Sequence, residues 1–196
     1  MTIDYSETKT APTQHEVLDV IRNRWSPRSF ADRPVAQEDL ETLFEAASWA
    51  PSAINEQPWR YIYAHRSDTE TFEKLLACLA PGNQVWARDA AVLVLSVARK
   101  TYSATGKPNR THLYDTGAAN LALLLQGTEM GIFGHQIGGF DLNKTVETVQ
   151  LSDDFEPAVF IALGYRDSYE KLAEPFRTRE MTPRSRKTVQ EFTSEL

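Results

Sequence analysis

Eight consecutive residues, Ala90-Ala91-Val92-Leu93-Val94-Leu95-Ser96-Val97, form an almost wholly apolar run of strand length, with no alternation of polar and apolar positions. That is the pattern of a strand covered on both faces, which belongs at the centre of a sheet with material packed above and below it. Pro157 to Tyr165 has the same character, and the alternation Trp59, Tyr61, Tyr63 predicts a strand with one aromatic face. Between these lie helical patterns. One runs from His15 with Val17, Val20 and Ile21, and another over Gln37–Ala50 with Leu40, Leu43, Phe44 and Ala47 on one face. A third, capped by Ser67 or Asp68, carries Phe72, Leu75, Leu76 and Leu79, and a short fourth runs from Asp141 to about Leu151. The least polar helix, Tyr114 to Met130, is stopped by Gly131 at its C-terminal cap and is apolar nearly all round, as in a helix buried in a core or between subunits. Strands and helices mixed without regular β-α alternation favour a three-layer α+β arrangement.

The 196 residues suffice for one domain, 1–196, with a sizeable core. Residues 1–13 read as a loosely attached arm, 99–111 as a mobile loop, and 166–196 as a charged tail. The balance of 21 basic and 27 acidic residues, net −6, provides no field for nucleic acid or an anionic membrane. A single cysteine, Cys78, rules out an internal disulfide and fits a reducing compartment. With no signal-like start and no apolar run approaching the ~20 residues of a membrane span, the expected location is cytoplasmic.

Several chemistries drop out. His15, His65, His112 and His135 are far apart, and His15-Glu16 lacks the second histidine of a zinc helix, so no metal site is expected. Cys78 reads as a buried small residue. No Gly-x-Gly-x-x-Gly and no Walker lysine loop occur. What remains is Arg24-Trp25-Ser26-Pro27-Arg28-Ser29-Phe30, then Ala50-Pro51-Ser52-Ala53-Ile54-Asn55-Glu56-Gln57-Pro58-Trp59. In an extended chain Arg24, Ser26 and Arg28 share one face within ~13 Å, a spacing suited to phosphate. The blander alternative is a pair of solvated arginines flanking a turn. Asn55 and Gln57 each offer donors and an acceptor, suited to the edge of a pyrimidine ring or simply to stabilising a loop. Gly138-Gly139 would let backbone approach a flat ring, or would serve a plain loop before a helix. Together the pieces suit a phosphorylated, flat, hydrogen-bonding ligand, which we read as a flavin.

These stretches, with Pro34-Val35, Glu45-Ala46-Ala47, Gly131-Ile132, Ile137-Gly138-Gly139-Phe140-Asp141, Ala162-Leu163-Gly164-Tyr165 and Arg184-Ser185-Arg186-Lys187, resemble in their order the FMN-dependent nitroreductase family over about residues 15–192. The resemblance implies a three-layer α/β/α fold with a mostly antiparallel central sheet, and a homodimer with an extended C-terminal arm and two FMN sites at the interface. By position, Arg24, Trp25, Ser26 and Arg28 would serve the phosphate, ribityl chain and pyrimidine edge, with Arg186 and Arg184 at the phosphate. Ser52, Ala53, Asn55 and Gln57 would arrive from the partner chain, and Pro51 is a further cofactor-binding candidate. Gln136, Ile137, Gly138 and Gly139 would lie against the ring, the Gly138 N–H nearest N5. Two departures stand out: Trp25 is where a second arginine is common, and Gly138 is where some members carry an acid. The implied activity is ping-pong transfer of hydride from NAD(P)H through FMN to a nitroaromatic, quinone or activated alkene, with no catalytic triad. The alternatives are a non-catalytic FMN-storing dimer, and a relative with dehalogenase or flavin-breakdown chemistry.

Overall fold

A computed structural model describes residues 6–196. In chain order the elements are helices α1 (Ser6–Lys9), α2 (Asp19–Asn23) and α3 (Gln37–Ser48), strand β1 (Trp59–His65), helices α4 (Thr69–Leu76) and α5 (Pro81–Ala87), and strand β2 (Val92–Arg99). They continue with helix α6 (His112–Glu129), strand β3 (Ile132–Ile137), helix α7 (Leu142–Val149), strand β4 (Phe155–Tyr165) and helix α8 (Phe176–Met181). The strands form one antiparallel sheet of order β1-β2-β4-β3. The apolar run over residues 90–97 leads into and fills most of β2, in the interior of the sheet, with Val92 to Val97 all buried.

Two apolar clusters cover the two faces. One joins α4, α5 and Leu172 of the tail to Leu93, Leu95, Phe160 and Ala162. The other joins Leu40, Leu43 and Ala47 of α3 and Ala119, Leu123 and Leu124 of α6 to Val92, Val94, Ile161 and Leu163. This alternation along β2 and β4 is the period-2 strand pattern read from both sides at once, and it makes the three-layer α+β fold expected from the sequence.

Several local expectations change. The glycine-rich stretch after α6 is strand β3, paired with β4 from Ile132↔Tyr165 to Ile137↔Phe160. A Cβ on Gly134 would lie 2.2 Å from Leu124 Cδ2, so this glycine is where α6 settles onto the sheet. Gly131 has φ +73, the left-handed stop expected after α6. Residues 99–111 form a bonded hairpin in place of a free loop, with Thr101 bridging Pro108 and Asn109 N–H donating to Lys100 O at 2.8 Å. The helical pattern from His15 yields only the five residues of α2, and its Leu18 and Ile21 are exposed.

The expected loose arm falls partly on residues 1–5, outside the described residues. Beyond them it is anchored: the buried Lys9 donates to the carbonyls of Arg179 (3.1 Å) and Thr182 (2.6 Å), and Arg184 donates to Lys9 O (2.9 Å) and Arg22 O (2.7 Å). Side-chain cations satisfying backbone carbonyls hold these two segments together, a tie invisible to local periodicity.

Candidate functional site

Residues 24–30 leave the end of α2 extended at Arg24, bend at Arg28 and reach the bridge between Phe30 and Arg166. Trp25, Pro27 and Ser29 are buried, while Arg24, Ser26 and Arg28 between them are partly exposed, so the alternation places these three on one side. Arg24 Nη1 donates to Ser26 Oγ at 3.4 Å. Trp25 faces the other way, 7% exposed, with the Lys9 ammonium 5.1 Å from its ring.

Burial and the neighbouring Arg186 depress the Arg24 guanidinium pKa, and burial followed by Arg24 and Arg186 depresses that of Arg184. Three cations thus crowd one place. Among the described residues no ion pair includes Arg24, Arg28, Arg184 or Arg186. Arg184 is committed to two backbone carbonyls, whereas Arg186 is exposed on the tail. The charge that Arg24, Arg184 and Arg186 bring together is therefore not compensated by a paired carboxylate among the described residues, the condition in which an anion would be favoured.

Behind the segment stand three groups that no local sequence pattern assigns to the site. His135 of β3 donates from Nδ1 to Pro27 O at 3.0 Å, since a carbonyl can only accept. Burial, then the charges of Arg28 and Arg24, lower its pKa to about 4, so the ring is neutral near pH 7. Trp86 of α5 packs 4.5 Å from that imidazole, with Arg28 5.8 Å above its own ring. Glu180 of α8, 2% exposed, accepts the Arg28 N–H at 2.5 Å. Burial raises the Glu180 pKa, while the Arg28 N–H and the charges of Arg28 and Lys9 oppose the rise.

Past β3, Gly138 is exposed with open space where a Cβ would stand. The Gly139 carbonyl accepts from Ala80 N–H and Asn83 Nδ2, both at 3.0 Å, which pins this backbone to the start of α5. Gln136 is exposed, but the Ile137 side chain is 3% exposed and belongs to the core, so only its backbone is available to a ligand.

The segment Pro51–Gln57 lies elsewhere. It enters β1 at one edge of the sheet, while Gly138 leaves β3 at the other edge of the same end. Three interstrand steps of roughly 4.8 Å separate those edges. Ile54, Asn55 and Gln57 all have positive φ, between 52 and 57 degrees, a strained conformation for residues with side chains. Within one chain the structure therefore gathers Arg24, Ser26, Arg28, Arg184, Arg186 and Gly138 toward the β3 edge and leaves Pro51, Ser52, Ala53, Asn55 and Gln57 at the β1 edge. Among the described residues no group of three or more His, Cys, Asp or Glu could hold a metal, and no helix is long and apolar enough to cross a membrane.

Comparison with known proteins adds to this geometry. A model of the Nitroreductase family matches residues 21–165. A solved structure described as an oxidoreductase containing FMN superposes with a TM-score of 0.90 at 34% identity, covering 95% of each chain. A nitroreductase family protein of Clostridium difficile 630 gives 0.68 at 25% identity, covering 92% of this chain and 98% of its own. A protein of Archaeoglobus fulgidus with the provisional name NADH dehydrogenase/NAD(P)H nitroreductase is 28% identical over 163 residues, 79% of this chain and 90% of its own.

Proposed function

Because this chain belongs to the nitroreductase family, we propose that it is an FMN-dependent oxidoreductase that draws hydride from NAD(P)H and reduces nitroaromatic, quinone or activated-alkene acceptors in ping-pong order. The observation that carries the reading is that Arg24, Arg184 and Arg186 crowd together with no carboxylate paired to them among the described residues, while Gly138 lies open just past the strand whose His135 bonds Pro27. The donor set fits FMN: cations for a phosphate dianion, a hydroxyl and amides for polar edges, and bare backbone for a flat face.

FMN bound there would supply the two-electron chemistry. The protein's part is binding and orientation. Arg24 and Arg186 would meet the phosphate, with Arg184 adding charge nearby while it staples the tail. Arg28, held by Glu180 through its backbone and by Trp86 under its side chain, would project toward the ring with Ser26. Gly138 would offer its N–H to the ring, kept in place by the doubly bonded Gly139 carbonyl.

The Pro51–Gln57 loop would reach the FMN of a second copy. Helix α6 offers the surface for that copy: Tyr114, Gly117 and Leu121 stand exposed on the face opposite its core contacts, and Trp49 and Ile54 are more than 80% exposed. The purified protein should be yellow, and either NADH or NADPH should bleach its visible flavin band without oxygen. Protein that neither carries nor binds FMN would overturn the reading. Holoprotein that neither nicotinamide bleaches would be a flavin-storing dimer instead.

A further inference from the structure

Asp115 is the one acidic side chain of α6 that is buried, 4% exposed, and nothing in the flavin reading uses it. Its Oδ2 accepts the Ala53 N–H at 3.0 Å and lies 3.1 Å from Thr111 Oγ1. Thr111 is itself oriented by Asn109, whose Oδ1 accepts the Thr111 N–H at 3.0 Å. The Ala53 amide begins the run in which Ile54, Asn55 and Gln57 are held in left-handed backbone. Two further ties close the loop: Ser52 Oγ accepts the Gln57 N–H at 3.0 Å, and Glu56 accepts from Ser103 N–H at 2.8 Å. Among the hydrogen bonds of the described residues, the Asp115 bond alone anchors this loop to a long helix. Asp115 also follows directly on Tyr114, which is 81% exposed on the face that a second copy would cover.

We infer that Asp115 is a positioning residue. Its carboxylate, in the first turn of α6 where the helix dipole favours negative charge, locks the strained 52–57 loop into the shape that completes the FMN site of the partner chain. The inference rests on the reading that this loop serves the partner's FMN. It makes one helix both the dimer surface and the frame of the loop.

The test uses the purified full-length chain and FMN itself. Asp115→Ala should bind FMN about tenfold more weakly, because the loop must then be ordered at the moment of binding. Asp115→Asn keeps an acceptor for the Ala53 N–H and should restore most of that affinity, a rescue that loss of bulk packing would not show. Hydrogen exchange at the Ala53 amide should quicken in the alanine variant. Co-expressed heterodimers of Asp115→Ala with Arg28→Ala chains then test the route. One site of each pair would combine an intact Arg28 from the first chain with an intact loop from the second, so half the sites should bind like wild type.

If wild type itself binds no FMN, the flavin reading has failed. If wild type binds FMN and Asp115→Ala binds it equally well, or if both heterodimer sites are weakened alike, the positioning inference is overturned. Should Asp115→Ala not fold, Thr111→Val removes the hydroxyl beside the carboxylate; faster Ala53 exchange with weaker FMN binding supports the inference, and no change in either overturns it.

Discussion

Arg28 and Arg184 carry the same group to different ends. Arg28 has its side chain over Trp86 and makes no ion pair among the described residues, whereas Arg184 spends its donors on Lys9 O and Arg22 O. Arg28→Ala should therefore weaken FMN binding by about 1.5–3 kcal/mol, the worth of a charged hydrogen bond, with little change in urea midpoint. Arg184→Ala should lower the urea midpoint by an amount equivalent to about 1–2 kcal/mol, because two carbonyls lose their donor. His135 gives a pH signature. Unfolded, it takes up a proton near pH 6.5, and folded only near pH 4. Between those values the unfolded state holds more protons, so stability is complete above the window and falls as the pH drops through it, by on the order of 3 kcal/mol. His135→Gln should flatten that acid limb in denaturation curves run from neutral pH downward. The alternation of partly exposed Arg24, Ser26 and Arg28 with buried Trp25, Pro27 and Ser29 was legible in the sequence, because polar Arg24, Ser26 and Arg28 alternate there with apolar Trp25 and Pro27. Glu180 was not, since its partner is a backbone amide far away in the chain, and no local pattern records such a bond.

At the scale of elements, the strands and helices read most securely were those whose periodicity is strong: β2, α3 and α6 stand close to where the pattern put them. β3 escaped because glycine carries little strand propensity, and the reason for Gly134 lies in α6, not in its own strand. Gly134→Ala would drive a methyl to 2.2 Å from Leu124 Cδ2 and 2.9 Å from Leu163 Cδ2. Relieving that overlap should cost about 1–3 kcal/mol. In calorimetry this would appear as a melting point lower by roughly 3–10 °C. The 99–111 stretch misled in the opposite sense, because polar composition hid a hairpin whose bonds are backbone to backbone. The α6 pattern was legible as apolar all round, but only the packing separates its two faces. Leu123 and Leu124 face the sheet, while Tyr114 and Leu121 face outward.

For the whole molecule, the exposed face of α6 and the split between the β1 and β3 edges argue together. A second chain would cover the first feature and join the second. Sedimentation should give a species of about twice the 22.2 kDa chain mass. Leu121→Glu, which puts a charge on an exposed position of that face, should yield a folded monomer that retains FMN poorly. A folded dimer of unchanged FMN content would show that α6 is not the contact.

The pairing of β2 with β4, Val92 against Leu163, has a consequence for how the chain is made. During synthesis the most apolar strand emerges early, and β1 can cover only one of its edges. Its other neighbour is the last strand of the sheet, so β2 must wait while the hairpin, α6, β3 and α7 leave the ribosome. A long-range antiparallel closure of this kind is slow, and an unpaired apolar strand is the segment that aggregates or recruits a chaperone. Nascent chains arrested before Phe155 should be open to protease throughout, and protection should arrive in a single step once Tyr165 has cleared the exit tunnel.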